Sequence, residues 1–413
     1  MAGATIDHLV SVTVFLAAIL LFIGLFNQTI QTGVTYQHNR AVASKCSDLI
    51  DNTLLNPGIP ADWGQSGVSP TGFGLQEVEF TQYQLSSFSL MRLQSSVGNP
   101  VNYSMTGQTY SNITMGFGQS LLVPYTQAVN YSLASKLLGV NESYGFSLTL
   151  TPIVNVNISL TQQNPLSFSL TAWGPGFPLA NAKIDYCLIT VEGKDEGSYP
   201  AYDSVNGSVP TDNAGSAALA FSGVNGNQES YALIAYAHLS GLVGVGYYEH
   251  VVHDASYVVP FISNFATGEV NLAHSWDVLG DESADSAAIK YNATFVVVAE
   301  DFTLREMPLN NETGSVVGLL NSGQDPDHAY DTLMIDTFSP GILVITYCKS
   351  AVETGIVVMP WGLSSLGFPI TFGGDPNNRD WVATDIRQVL VNGIAYQAKL
   401  SVWSLEGYQV ITT

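Results

Sequence analysis

The sequence predicts a mainly β protein, with an N-terminal transmembrane helix followed by β-sandwich ectodomains. Three observations carry that expectation. An unbroken apolar run fills residues 9–26, the rest of the chain alternates in short segments punctuated by Gly, Pro and Asn, and charge is scarce throughout.

The run from Leu9 to Phe26 (LVSVTVFLAAILLFIGLF) contains 18 residues without a charge. At about 1.5 Å per residue it covers ~27 Å, close to the hydrocarbon thickness of a bilayer. A cleaved secretory signal would need a basic n-region and a small-residue cleavage site. Here MAGATIDH has no Lys or Arg, and polar, bulky residues follow the run, so an anchor is expected. Apolar residues at helical spacing (Val34, Val42, Leu49, Leu54) carry the helix on until Asn56-Pro57-Gly58 stops it.

Composition narrows the function. A chain of 413 residues suits two or three domains. Only 11% of residues are charged, with 34 acidic against 12 basic and a net charge of −22. Nucleic-acid binding needs Lys and Arg to displace counterions, so no nucleic-acid partner is expected. A polybasic membrane patch is excluded on the same ground. Ser, Thr, Asn, Gln and 20 tyrosines replace the missing charge, as is common outside the cell. A halophilic surface would be dense in carboxylates, whereas this one is poor in bases.

Orientation draws on opposing signals. Arg40 and Lys45 follow the span, which by the positive-inside rule would put the C-terminus in the cytoplasm. Beyond the helix, N-x-S/T sequons stand at Asn102, Asn112, Asn130, Asn141, Asn157, Asn206, Asn292 and Asn311. These candidate N-glycosylation sites, with the base-poor composition, favour an extracellular head on a single-pass cell-membrane protein. Large domains can translocate despite flanking charge.

Gly3-Ala4-Thr5-Ile6-Asp7, leading straight into the apolar helix, resembles the N-terminus of type IV pilin-like proteins, the tight-adherence pseudopilins especially. The resemblance implies cleavage before Gly3, an acidic fifth mature residue at Asp7, and pairing of that carboxylate with a neighbouring subunit's N-terminus. It covers about 30 residues. The family's usual Lys or Arg before the cleavage site is missing, and Asp replaces the commoner Glu. The alternative is an uncleaved anchor with an acidic flank.

Five regions follow in order. Residues 1–8 are a short flank and 9–55 the helix with its extramembrane continuation. Residues 56–152 form a small mixed α+β connector region, with Gly- and Pro-rich 56–80, helices expected at Leu85–Gln94 and Tyr125–Leu138, and alternating strands between them. The stretch SKLLGVNESYGFSLTLTPI reads as helix, Gly stop and strand, and resembles short modules of archaeal membrane-anchored surface proteins. Residues 153–258 form the clearest β-sandwich, with IVNVNISL, LSFSLTAW, KIDYCLITV and SYALIAYAHL as strands. Its G-x-P-L-A-N-A, T-D-x-x-G-x-A-x-L-x-F and Y-x-L-x-A-x-A pattern resembles invasin-like and transthyretin-like immunoglobulin sandwiches, which implies a stalk or adhesion spacer but no ligand. In this reading Asp212 and Gly215 close a hairpin. Residues 259–413 are a second β-rich domain, with strands expected at Ala287–Val298, Thr332–Tyr347, Gly355–Met359 and Asp385–Trp403. The last contains a hairpin at Asn392-Gly393.

No motif specifies a reaction, and no enzyme activity is expected. GxSxG, P-loop and Rossmann glycine patterns are absent, and GLSSLG (362–367) has the wrong spacing. Glu249-His250-x-x-His253-Asp254 would put its imidazoles on opposite faces of a strand, which suits a polar turn better than a metal site. Acidic stretches 277–285 and 325–331 have the oxygen ligands calcium prefers but not the EF-hand arrangement, so calcium is the one cofactor entertained. Trp63, Trp173, Trp361 and Trp403 suit core packing or sugar stacking. Cys46, Cys187 and Cys348 read as buried apolar thiols, with Cys187–Cys348 the one bridge considered. The expected partners are the bilayer, through residues 9–26, and pilin-like or envelope subunits. A structural or adhesive surface protein is the first reading; an anchored ectodomain binding a glycan or solute is the alternative.

Overall fold

The computed structural model describes residues 2–78, 83–93, 99–116, 119–140, 142–192, 198–252, 257–279, 287–298, 304–307, 309, 314–321, 329–350, 352–362, 366–377, 379 and 381–405. Helix α1 (Ala2–Leu54) is continuous over 53 residues, ~80 Å at 1.5 Å per residue. Its two ends have different surroundings. The most apolar 18-residue window has a mean hydropathy of 2.8 and none of it is buried. Nearer the C-terminal end, Val42, Cys46, Leu49, Ile50, Thr53 and Leu54 are buried, at the i, i+4, i+7, i+8 spacing of one helix face.

That stripe packs on an antiparallel sheet ordered β20 (Ile370–Gly373), β4 (Tyr144–Pro152), β22 (Ile394–Ser404), β21 (Ala383–Val391). Strand alternation gives the sheet two unlike faces. Leu148, Leu150, Ile370, Phe372, Val389, Ala398, Leu400 and Val402 belong to the core that receives α1. Thr151, Thr371, Thr384, Gln388, Gln397 and Lys399 point the other way and are exposed. The β21–β22 hairpin turns at Asn392 (φ 48°) and Gly393 (φ 77°), the two positive angles of a type I′ turn. The Cys46 thiol donates to the Leu400 carbonyl at 3.5 Å, and Asp51 pairs with Arg387 at 3.5 Å. Ile50→Ala should therefore cost ~2–5 kcal/mol, whereas exposed Ser44→Ala should stay within ~0.5 kcal/mol. Denaturant midpoints of the full chain in detergent would check both values.

Two further sheets complete the head. One is ordered β1 (Val101–Tyr103), β2 (Gln108–Gly116), β3 (Gln119–Pro124), β12 (Val258–Asn264), β13 (Glu269–His274), β17 (Tyr330–Met334). The other runs β15 (Leu304–Met307), β14 (Ile289–Val298), β18 (Gly341–Cys348), β19 (Thr354–Trp361), with β16 (Ser315–Leu320) also paired to β14. Among the described residues there are four short helices: α2 (Trp63–Ser66), α3 (Ser87–Met91), α4 (Tyr131–Leu137) and α5 (Ser275–Leu279). Asn130 caps α4 by accepting the Leu133 N–H at 2.9 Å.

The remaining seven strands make the sandwich. They are β5 (Asn155–Gln163), β6 (Leu166–Trp173), β7 (Lys183–Glu192), β8 (Ala201–Pro210), β9 (Ser216–Phe221), β10 (Tyr231–Leu239) and β11 (Leu242–His250), in the order β8-β7-β10-β11-β5-β6-β9. A single parallel pairing, Val245 with Asn155, links the four-stranded and three-stranded sides. Both sides send residues into one core: Val156, Ile158, Phe168 and Leu170 from one, Ile184, Leu188, Leu233 and Ala235 from the other.

Several sequence expectations change here. The boundaries at 152/153 and 258/259 separate strands that pair: β4 lies between β20 and β22, and β3 pairs with β12. Strands from 56–152 and 259–413 therefore share sheets and one core. The sandwich is not a free spacer either. Tyr231–Ala237 is buried on both faces, with Leu233 and Ala235 in the sandwich and Ala232, Ile234 and Tyr236 in the large core. Asp212 and Gly215 (φ 74°) do not close a hairpin, because β9 pairs with β6 rather than β8. The Asp212 carboxylate accepts the Ala214 and Ser216 N–H groups in a turn that crosses between sheets. All three thiols are free, so no Cys187–Cys348 bridge forms. Burial pushes the Cys46 thiol up to about 11, with Asp385 adding to it, and the Cys187 thiol up to about 12.

Candidate functional site

The feature that sets this molecule apart is the projecting part of α1. Phe26 and Val42, the last residue of the apolar run and the first buried in the head, lie 16 positions apart on one unbroken helix. At 1.5 Å per residue the helical neck is ~24 Å long. Ile6, Leu9, Phe15, Leu20, Leu21, Phe22, Phe26 and their neighbours are exposed all round the helix. A helix apolar on every side suits hydrocarbon, since burying such side chains yields ~25 cal/mol per Å2. Thr13 donates its hydroxyl to the Leu9 carbonyl at 2.8 Å, which satisfies that polar group within the helix. Gly3 lies in the first turn of α1 and Asp7, solvent-exposed, in the second.

The other candidate residues that are described lie on separate elements of the head. His250 ends β11 with its ring 5.1 Å from that of Tyr231, and the Tyr247 hydroxyl donates to the Glu249 carboxylate; His253 and Asp254 lie outside the described residues. The described parts of the two acidic stretches, residues 277–279 and 329–331, reach the same end of one sheet, because Leu272 of β13 pairs with Asp331 of β17 and α5 follows β13 directly. Of these stretches, residues 280–285 and 325–328 are outside the described residues. Asp331 accepts the Tyr291 hydroxyl at 2.8 Å. Among the described residues, no group of three or more His, Cys, Asp or Glu side chains could hold a metal ion. Trp63, Trp361 and Trp403 are core residues, while Trp173 is 46% exposed. Of the GLSSLG stretch, residues 363–365 are not described.

The sequons divide by exposure. Asn102, Asn157 and Asn206 are exposed; Asn112, Asn130 and Asn292 are half-buried; Asn141 and Asn311 lie outside the described residues.

One residue escaped the sequence reading. Arg92 is fully buried, its guanidinium donating to the carbonyls of Gln127 (2.7 Å), Val68 (2.7 Å) and Trp63. The Trp63 and Phe265 rings lie 5.2 and 5.8 Å from its central carbon, within cation–π range. Desolvation lowers its pKa to about 10, so the side chain stays charged at neutral pH. It ties the connector, α3 and the β12–β13 turn together. The signal was available: Arg92 is the lone base between Lys45 and Lys136, set in the apolar run SLMRL.

The fold and the helix together define a class, a mainly β head on one N-terminal apolar helix long enough to cross a membrane. No family model matches the chain, and no curated protein matches it significantly. Among solved structures it is similar to the fibronectin type III domains FN1–FN3 of chicken CNTN1, at 11% identity and TM-score 0.15, over 51% of this chain and 65% of that one. It is also similar to red sea bream transglutaminase, at 8% identity and TM-score 0.17, over 62% and 37% of the two chains. The chain thus spans less than two thirds of either structure. Likeness at these scores carries nothing about function.

Proposed function

We propose that the protein is a single-pass surface protein, held in the cell membrane by residues 9–26, with its β head outside the cell in a structural or adhesive role. One observation carries the reading: a single unbroken helix is exposed and apolar at one end and buried in the core of the head at the other. Motion of the membrane segment is thereby coupled to the head through a helix. A cleaved leader would not call for that continuity. The base-poor surface supports the outward orientation against Arg40 and Lys45.

The finer reading is a minor pilin-like subunit, supported by Gly3 and Asp7 at the mouth of the apolar helix. A head of this size would crowd a tightly packed helical core, which favours a minor or tip position over a major one. The alternative, an anchored ectodomain binding a glycan or solute, draws on the exposed aromatic Trp173 and on the acidic composition of residues 277–285 and 325–331, with calcium its natural cofactor.

The test joins membrane fractionation, protease digestion of intact cells and N-terminal mass spectrometry. An integral membrane chain whose head is digested from outside is the expected result. A soluble head beginning after residue 26 would overturn the anchor. For the pilin-like version, cleavage before Gly3 and at least tenfold loss of assembled material in Asp7→Ala are expected. An intact Met1 would remove that version and leave the anchor standing.

A further inference from the structure

The eight sequons beyond α1 are uniform as sequence but not as structure. Asn112 and Asn292 turn their Oδ1 atoms into buried surroundings, and Asn292 sits on β14 between β16 and β18. Asn130 is committed to capping α4. All three residues are half-buried, so a bulky hydrophilic oligosaccharide on the side-chain nitrogen of any of them would meet packed neighbours. The exposed three differ. Asn157 lies on the outer face of β5, beside exposed Asn155 and Ser159, with its amide 3.4 Å from the Ser159 hydroxyl of its own sequon. Asn102 is paired with Thr109 across the strands through its Oδ1, which the Thr109 hydroxyl meets at 2.7 Å. Asn206 stands mid-strand in β8 with Ser204, Val205 and Ser208 exposed around it.

Two of these positions share a further property. β1 and β8 are the terminal strands of their sheets, each paired on one side only among the described strands. A free edge is a template for pairing with another chain, and proteins blunt it with charge, Pro or bulges. β8 is ten residues long with Asp203 its one charge and Pro210 at its end, so its centre has little such protection.

We infer that the head carries N-linked oligosaccharides at Asn102, Asn157 and Asn206, and that those at Asn102 and Asn206 shield the open edges of β1 and β8 from pairing between molecules. The inference rests on the outward-facing reading above. A sugar chain at mid-strand keeps a second backbone out of hydrogen-bonding distance without burying anything of its own.

The experiment uses the full chain, extracted from the membrane of a host that performs N-linked glycosylation. Glycopeptide mapping should find sugar at Asn102, Asn157 and Asn206 and unmodified Asn112, Asn130 and Asn292. The double variant N102Q/N206Q should lose the mass of two glycans and raise the oligomeric fraction several-fold in light scattering at equal concentration. Its thermal midpoint should be within a few degrees of the parent's. Bare asparagines at all three positions, in a chain whose head is digested from outside the cell, would overturn the inference alone. Sugar at Asn112 or Asn292 would overturn the exposure argument. Glycans present but no change in association would overturn the edge-shielding role. A head protected from external protease would overturn the outward-facing reading, and this inference with it.

Discussion

Arg92→Met is expected to destabilise the head by about 3 kcal/mol or more. The methionine fills much of the space between Trp63 and Phe265 but offers no donor to the carbonyls of Trp63, Val68 and Gln127. A buried acceptor left without a partner costs ~1–3 kcal/mol. Three such losses outweigh the relief of no longer desolvating a cation, because only one side of the interaction is removed. Arg92→Lys should recover less than half of the loss. An ammonium is a point donor, whereas these carbonyls are spread around a planar fork that also stacks on two rings. Denaturant midpoints of the three proteins give the answer. A methionine variant as stable as the parent would mean that the carbonyls find water, and the keystone role would be lost.

Alkaline unfolding should be abrupt. Tyr103, Tyr110, Tyr231, Tyr236, Tyr291 and Tyr396 are all buried, and burial raises the pKa of each above the ordinary tyrosine value. Asp277 adds to the effect at Tyr103, and Asp331, which accepts the Tyr291 hydroxyl, at Tyr291. The unfolded chain releases these protons near pH 10, while the folded chain retains them. Stability is therefore fully present below about pH 10 and lost as pH rises toward the elevated folded values. Each group contributes a slope of up to ~1.4 kcal/mol per pH unit, so six approach ~8 kcal/mol per pH unit. The part of the tyrosinate absorbance that comes from these six buried hydroxyls should rise in one step with the loss of far-ultraviolet dichroism, after the exposed tyrosines have ionised. Smooth ionisation of all the tyrosines before any loss of strand signal would contradict the burial argument.

Much of the architecture could be read locally. The apolar helix, the Gly139 stop after α4, strands β5, β6, β7 and β10 of the sandwich and the Asn392-Gly393 turn each follow from a few adjacent residues. Their signals are hydrophobic period, positive φ and turn chemistry, none of which needs a distant partner. The expected strand over Thr332–Tyr347 is two strands, β17 and β18, separated by the segment around Pro340, which lacks an N–H to give to a ladder.

The candidate site was legible to the same degree. Residues 9–26 and Asp7 stand out in the sequence, and the structure adds the neck and the buried stripe from Val42 to Leu54. Exposure of the sequons was not legible, because Asn157 and Asn292 share one motif and differ only in which strands flank them.

By itself, then, the sequence determined the helix, its apolar length, the positions of most strands and the poverty of charge, all consequences of neighbouring residues. Only the tertiary structure decided which strands pair, that 56–152 interleaves with 259–413, that the sandwich is packed into the head, and that Arg92 has carbonyls rather than a carboxylate for partners. A strand edge presents the same N–H and C=O groups whatever its sequence. Its partner is therefore selected by side-chain burial summed over the whole core, which no local window contains.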